Sequence, residues 1–157
     1  MQRPPIKPDA AHVRAIFTVK RTYTISEAAS VLGIDLRALL AEIEARDIAT
    51  VAEASPELPW KEVAYLALRT WPLDQIFEAL GSDAESCIPD LLRPTTITAT
   101  LPAYQVRMLE VLAREQQLDV STFLQLHLLD LASAEAPFLG EQIPGFFEAF
   151  HFPFGGR

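Results

Sequence analysis

The stretch PTTITATLPAYQVRMLEVLAREQQLDVSTFLQLHLLDLASAE, residues 94–135, decides the fold that the sequence predicts. From Thr96 to Leu101 polar and apolar residues alternate, which is typical of a half-buried strand. Pro102 ends this strand and suits the first turn of a helix. The apolar residues that follow at helical spacing are Val106, Leu109, Leu112 and Ala113.

A second helix is predicted to begin near Asp119, which is a good N-cap residue. Leu118 and Phe123 stand in the two places of a hydrophobic staple around this cap. The residues that line one face of the second helix are Phe123, Leu124, His127, Leu128 and Leu131. The stretch therefore predicts a strand and two helices in close succession.

The predicted strand has no partner within this stretch, and its backbone groups need hydrogen-bond partners. A two-fold dimer in which two copies pair antiparallel is the economical solution. The stretch resembles the ribbon-helix-helix family of DNA-binding repressors and antitoxins, whose paired strands enter the major groove. The resemblance implies that DNA faces Thr96, Thr98, Thr100 and Ser121, and that the dimer core is formed by Ile97, Ala99, Leu101, Leu109, Leu124 and Leu128.

The stretch departs from the ribbon-helix-helix pattern at two positions. Gln117 stands at the end of the first helix, where the family often has a glycine. Asp119 brings a negative charge to the turn of Asp119, Val120 and Ser121, where the family binds phosphate. Threonine also lacks the bidentate donors that recognise guanine. A ribbon that serves only for dimerisation is therefore the alternative to a ribbon that reads DNA.

A second DNA-binding pattern lies near the N-terminus, in YTISEAASVLGIDLRALLAEIEARDI, residues 23–48. Thr24 and Glu27 form a predicted capping box, Gly33 breaks the helix, and Asp35 can cap the next helix. The pattern resembles the first helices of MerR and excisionase-type winged helix-turn-helix domains. The resemblance implies that the second helix, residues 36–46, lies in the major groove.

The predicted recognition helix turns Leu39, Leu40 and Ile43 inward. Arg37 then faces outward as a contact to a base or a phosphate, and Glu42 could accept a hydrogen bond from a cytosine amine. The alternative for both side chains is a solvated helix face. The family's wing would fall at residues 48–60, which contain no Lys or Arg.

The charge is unevenly distributed in a chain whose net charge is −8. Residues 1–22 form a predicted basic arm and lead-in, in which residues 11–23 are ambiguous between helix and strand. The basic residues of this segment predicted to contact DNA are Arg14, Lys20 and Arg21. The acidic remainder lowers nonspecific DNA affinity and could recruit a basic protein.

The other two segments are predicted to serve the fold and its contacts. Residues 60–93 form an acidic helical connector with breaks at Pro72, Gly81 and Pro89. Residues 136–157 are rich in phenylalanine and must dock on a surface, either on the chain's own dimer near Leu126 and Leu129 or on a partner protein. The candidate partner-binding residues of this segment are Phe146, Phe147 and Phe150.

Composition excludes several classes of protein. A chain of 157 residues that is 50% hydrophobic can form one or two compact domains, and it has no apolar run of membrane-spanning length and no secretion signal. One cysteine, three scattered histidines and no glycine-rich loop predict neither an enzyme nor a metal or cofactor site.

The sequence thus predicts a mainly α protein with an N-terminal helix-turn-helix (residues 23–59), a helical connector, and a C-terminal ribbon-helix-helix (residues 94–135) whose one short strand pairs across a homodimer. The expected function is a cytoplasmic transcription repressor that binds double-stranded DNA, in the form of an autorepressing antitoxin with a toxin as partner. The alternative is an acidic, dimeric protein-interaction adaptor that does not bind DNA.

Overall fold

The computed structural model describes residues 7–48, 50–51 and 55–154, and it is mainly helical with one small antiparallel sheet. The chain forms two compact units. We call the described parts of residues 7–94, together with residues 147–154, the core unit. Residues 95–146 are the open unit. The predicted mainly α fold class is confirmed. Residues 1–6 of the basic arm and residues 49 and 52–54 of the predicted wing lie outside the described residues.

The ambiguous lead-in is helical. Helix α1, Ala10–Arg14, begins at Asp9, whose side chain accepts a hydrogen bond from the Ala11 N–H at 2.8 Å. The helix widens into a π-helical turn at Ala15–Val19 and ends at Lys20, which has a left-handed φ of 55°. Val13, Ile16 and Phe17 on this segment are fully buried.

The predicted helix pair follows a short strand. Strand β1, Tyr23–Thr24, leads directly into α2, Ile25–Leu32, and the capping box between Thr24 and Glu27 is present. Gly33 ends α2 with φ 67°, a conformation that glycine adopts without strain. Asp35 then caps α3, Leu36–Ala45. The local signals for both helices are confirmed.

The strand before this helix pair is completed into a small sheet by a second strand further along the chain. Strand β2, Glu57–Leu58, pairs antiparallel with β1, so that Tyr23 faces Leu58 and Thr24 faces Glu57. A single bridge also joins Val51 to Glu57. The pairing brings two distant segments together and buries both Tyr23 and Leu58 completely.

The connector is helical, with breaks at the predicted prolines and glycine. Helix α4 is Trp60–Thr70 and α5 is Leu73–Leu80, separated by Trp71 and Pro72. A 3-10 turn, Gly81–Asp83, leads to α6, Ala84–Cys87, and another 3-10 turn covers Asp90–Leu92. These helices complete one hydrophobic core, whose largest fully buried side chains are Tyr23, Phe17, Ile16, Leu32, Leu39, Leu58, Ile76, Leu80, Val13 and Val63.

The aromatic C-terminal segment returns to the core unit. The ring of Phe152 stacks on Phe17 with the centroids 6.5 Å apart and meets Trp60 edge to face at 6.3 Å. Phe154 lies 5.5 Å from the ring of Tyr65, and Pro153 between the two phenylalanines is buried. The segment therefore docks within its own chain.

The open unit contains the two helices that the sequence predicts after Pro102, but the strand predicted at residues 96–101 is not formed in the single chain. Residues 95–102 have neither helix nor strand in the single chain, and all of them are exposed. Helix α7 is Ala103–Glu115, α8 is Val120–Ala134 and α9 is Ala136–Gln142. Helix α10, Phe146–Phe150, begins at the last residue of the open unit, and its other residues belong to the core unit. Within residues 95–146, Ala113 and Phe123 alone are buried.

Candidate DNA-binding and dimerisation surfaces

The residues predicted to form the dimer core are uncovered in the single chain. Ile97 is 85% exposed and Leu128 is 58% exposed, and Ala99, Leu101 and Leu124 are also exposed. Leu109 is half-buried. Burial of one leucine or isoleucine side chain contributes about 1.5–3 kcal/mol, so this apolar surface represents a large favourable free energy that the single chain leaves unused.

The candidate groove-facing residues Thr96, Thr98 and Thr100 lie in the same exposed segment. Alternation places them on one side of an extended chain and Ile97 and Leu101 on the other. The segment presents hydroxyl groups without any positive charge. Such a face can offer hydrogen bonds to base edges, but it provides no electrostatic attraction to phosphate.

The turn before α8 is organised by Asp119. Its carboxylate accepts hydrogen bonds from the Thr122 N–H and the Thr122 hydroxyl, both at 2.8 Å. These bonds lower the pKa of Asp119 because they favour the charged form. The carboxylate of Asp119 therefore already caps the N-terminus of α8, where Ser121 is exposed. Gln117 has a left-handed φ of 57°, a conformation in which glycine is the more usual residue.

The candidate recognition helix α3 presents a mixed surface. Arg37 is exposed, and within the described residues no hydrogen bond or ion pair reaches its guanidinium group. Leu39 is buried as predicted, but the prediction that Leu40 faces inward is wrong, since this side chain is 48% exposed. Leu36 is 44% exposed. The buried side of α3 therefore includes Ile43 and Glu42, which are half-buried, and does not include Leu40.

Glu42 has an ion-pair partner within the core unit. It is half-buried and pairs with Arg46, one helical turn further along α3. The two side chains line a groove of about 280 Å³ between α3 and α4, together with Arg69 and Thr70. The side-chain hydrogen bond from Arg46 to Glu42 raises the pKa of Arg46.

The basic residues of the lead-in also have structural contacts. Arg14 pairs with Asp83 and donates a hydrogen bond to the Leu80 carbonyl at 3.3 Å, at the C-terminus of α5. Arg21 lies 3.7 Å from Glu27 and its guanidinium group stacks over the Tyr23 ring at 4.2 Å.

Lys20 contacts an aromatic ring of the core unit. Its ammonium group lies 5.0 Å from the centre of the Trp60 ring. All three predicted DNA contacts of the lead-in therefore hold parts of the core unit together. No local sequence pattern predicts these contacts, because their partners lie in other elements of the fold or come close only through its geometry.

The candidate partner-binding phenylalanines differ in exposure. Phe147 is 43% exposed, whereas Phe146 and Phe150 are half-buried. The stacking of Phe147 on His151 has a centroid distance of 5.6 Å. Phe152 and Phe154 of the same segment contact aromatic rings of the core unit, and nothing in their sequence context distinguishes them from the other phenylalanines.

The described residues contain no cluster of three or more His, Cys, Asp or Glu side chains that could hold a metal ion. Across the same part of the chain, every helix is too short or too polar to cross a lipid bilayer. The chain matches no protein-family model, and neither curated proteins nor solved structures show a significant similarity to it.

Proposed function

We propose that the protein is a homodimeric, sequence-specific DNA-binding transcriptional regulator. The observation that carries the proposal is the open unit, where residues 96–101 are exposed, lie outside any helix or strand and have threonine at every second position. They precede two helices with exposed apolar residues. Antiparallel pairing of two such segments would satisfy their backbone groups and bring the apolar sides of α7 and α8 together. A two-fold dimer suits recognition of two-fold symmetric DNA.

In this proposal α3 reads DNA and the paired strands hold the dimer together. The support for α3 is Arg37, which is exposed, has no ion-pair partner in the described structure, and follows a glycine turn between two capped helices. The support for the ribbon as a dimerisation element is the absence of any Lys or Arg from residues 95–102. Phosphate contacts dominate the affinity of DNA-binding proteins.

The test is a gel-shift titration at two salt concentrations on a fragment of the gene's own upstream region. Arg37→Ala should weaken binding by about 1–3 kcal/mol and make the salt dependence shallower if the guanidinium group contacts phosphate. Thr98→Ala is the matched control, because it trims the ribbon face without disturbing backbone pairing, and it should leave affinity nearly unchanged. The opposite ranking would assign recognition to the ribbon.

A second candidate function is an acidic dimeric adaptor that binds protein instead of DNA. The observation in its favour is that α3 exposes Leu36 and Leu40 while Arg14 and Arg21 are used inside the fold. If the wild type binds neither its own upstream region nor random DNA fragments at low salt, the regulator is excluded and the adaptor remains.

A finer proposal is that the regulator is the antitoxin of a toxin–antitoxin pair and represses its own operon. Phe147 supports a partner contact, since it is exposed in the aromatic segment beside the residues that dock in the core unit. The protein encoded by a small neighbouring reading frame, when it is coexpressed, should copurify with the wild type and should not copurify with Phe147→Ser. Phe138→Ser serves as the control, because Phe138 is also exposed but lies in α9. Equal copurification with both variants would contradict this assignment of Phe147.

A further inference from the structure

The groove between α3 and α4 combines apolar and charged lining. We call it the α3–α4 groove, and its volume is about 280 Å³. Its apolar lining comes from Ile34, Ala38 and Leu66. The volume lies near the lower end of the range for small-molecule sites in proteins, so the groove suits a small molecule and is too small for a folded segment of another chain.

The charged lining carries one positive charge that the fold leaves uncompensated. Glu42 pairs with Arg46, and this bond uses the Nε atom of Arg46. Arg69 also lines the groove, and within the described part of the chain no carboxylate lies within ion-pair distance of its guanidinium group. Two arginines against one glutamate leave a net charge of +1, which a ligand with a single negative charge would neutralise.

The donors that the groove offers to a ligand belong to its arginines. The Arg69 guanidinium group lies 5.7 Å from the centre of the Tyr65 ring, a contact that restrains the side chain and supplies no anionic acceptor. Thr70 donates its hydroxyl proton to the Leu66 carbonyl at 2.7 Å, so this proton is used within α4. A guanidinium group presents paired N–H donors that match the two oxygens of a carboxylate.

We propose that the α3–α4 groove binds a small apolar monocarboxylate, an aliphatic or aromatic acid in its ionised form. The carboxylate pairs with Arg69, and the apolar body lies against Ile34, Ala38 and Leu66. A phosphate monoester carries about 1.5 to 2 negative charges at pH 7, which exceeds the one charge to be neutralised. The site is independent of the dimer and of DNA binding, because all its residues belong to the core unit.

The test is isothermal titration calorimetry on the full chain with sodium benzoate and sodium hexanoate. At least one of the two acids should bind with a dissociation constant of about 1 mM or tighter, as expected for ligands of this size. Benzyl alcohol keeps the ring of benzoate without its charge, and inorganic phosphate has the charge without an apolar body. Both should bind at least about tenfold more weakly than the better acid.

Three variants locate the site. Arg69→Gln removes the guanidinium group at an exposed position and should weaken binding of the acid about tenfold or more. Ala38→Leu keeps every charge but fills part of the groove, and it should also weaken binding. Lys61→Gln is the matched control, because it removes the same charge from an exposed position of α4 outside the groove, and it should leave binding unchanged.

Two kinds of result would overturn the proposal. If neither acid binds at about 10 mM, or if benzyl alcohol or phosphate binds as tightly as the better acid, the groove has no preference for an apolar monocarboxylate. If Arg69→Gln leaves binding unchanged, or Lys61→Gln weakens it as much, the acid binds elsewhere on the chain. A circular dichroism spectrum equal to that of the wild type shows that each variant is folded.

Discussion

The two units of this chain bury their apolar residues by different means. The core unit encloses a contiguous cluster of aliphatic and aromatic side chains, sealed by Phe152 from the C-terminal segment. The open unit buries Ala113 and Phe123 among residues 95–146, while Ile97, Tyr104, Leu128 and other apolar residues stay exposed. The core unit has an enclosed apolar cluster, whereas the open unit leaves many of its apolar residues in solvent in the single chain.

The difference shows that hydrophobic content alone does not decide where a core forms. Folding stability is a small difference between large terms, so a segment of this length that buries two side chains cannot offset the entropy it loses. We therefore expect the open unit to gain much of its stability from a partner surface. The melting of the open unit should depend on protein concentration, whereas the melting of the core unit should not.

The largest expected effect that separates the two units comes from Thr98→Pro. Proline removes a backbone donor and fixes φ in the middle of the proposed intermolecular strand, which should cost about 3 kcal/mol or more per chain. Sedimentation should show loss of the dimer. Both tryptophans, Trp60 and Trp71, lie in the core unit, so the unfolding transition followed by tryptophan fluorescence should stay unchanged. An undisturbed dimer would refute the ribbon.

The next largest effect is an expected loss of stability in the core unit, with no change in the open unit. Phe152→Ala removes the ring that contacts Phe17 and Trp60, and it should lower the free energy of unfolding of the core unit by about 2–3 kcal/mol. Urea unfolding followed by tryptophan fluorescence measures this loss. Phe138→Ala, at an exposed position of the open unit, is the control and should not shift that transition.

A smaller effect tests whether the basic residues of the core unit serve the fold. Arg14→Ala removes the ion pair with Asp83 and the hydrogen bond to the Leu80 carbonyl, at side chains that are about half exposed. The expected loss of stability is about 0.5–1 kcal/mol. Asp83→Asn removes only the charge of the partner. If Asp83→Asn strengthens DNA binding and Arg14→Ala abolishes it, Arg14 acts on DNA as well.

The smallest effect concerns the pH dependence of the open unit. The hydrogen bonds from Thr122 hold the pKa of Asp119 below its ordinary value of 3.8, so the folded state binds this proton less tightly than the unfolded state. The contribution of Asp119 to stability is present above pH 3.8 and is lost as the pH falls through the lower folded value. Asp119→Asn should remove this acid-dependent loss in circular dichroism melts between pH 5 and pH 2, whereas Asp130→Asn should not.

The parts of the fold that the sequence predicted are those set by neighbouring residues. The caps at Thr24, Asp35 and Asp119 and the glycine turn at Gly33 involve partners at most a few positions away. Such contacts form wherever the right residues occur at the right spacing. Asp9 is a cap of the same kind, and it would have resolved the ambiguous lead-in in favour of a helix.

The parts that sequence reasoning missed depend on distant partners. The pairing of Tyr23 with Leu58 uses strands of two residues, too short to show an alternating pattern. Helical periodicity predicts the spacing of apolar residues on α3 but not which side is buried, because packing against α4 decides that side, and Leu40 is exposed. The dimer and the DNA contacts stay predictions, since they involve molecules other than the single chain.

The docking of Phe152 has a consequence for the order in which the protein is made. The ribosome completes the chain from its N-terminus, so Phe17 and Trp60 leave the exit tunnel before Phe152 has been added. The surface that this ring later covers stays open while the whole open unit is being synthesised. Domains generally fold as units during synthesis, but here the first unit to emerge is completed only after the second. Newly made chains therefore pass through a stage with an uncovered aromatic surface, at which a chaperone could bind.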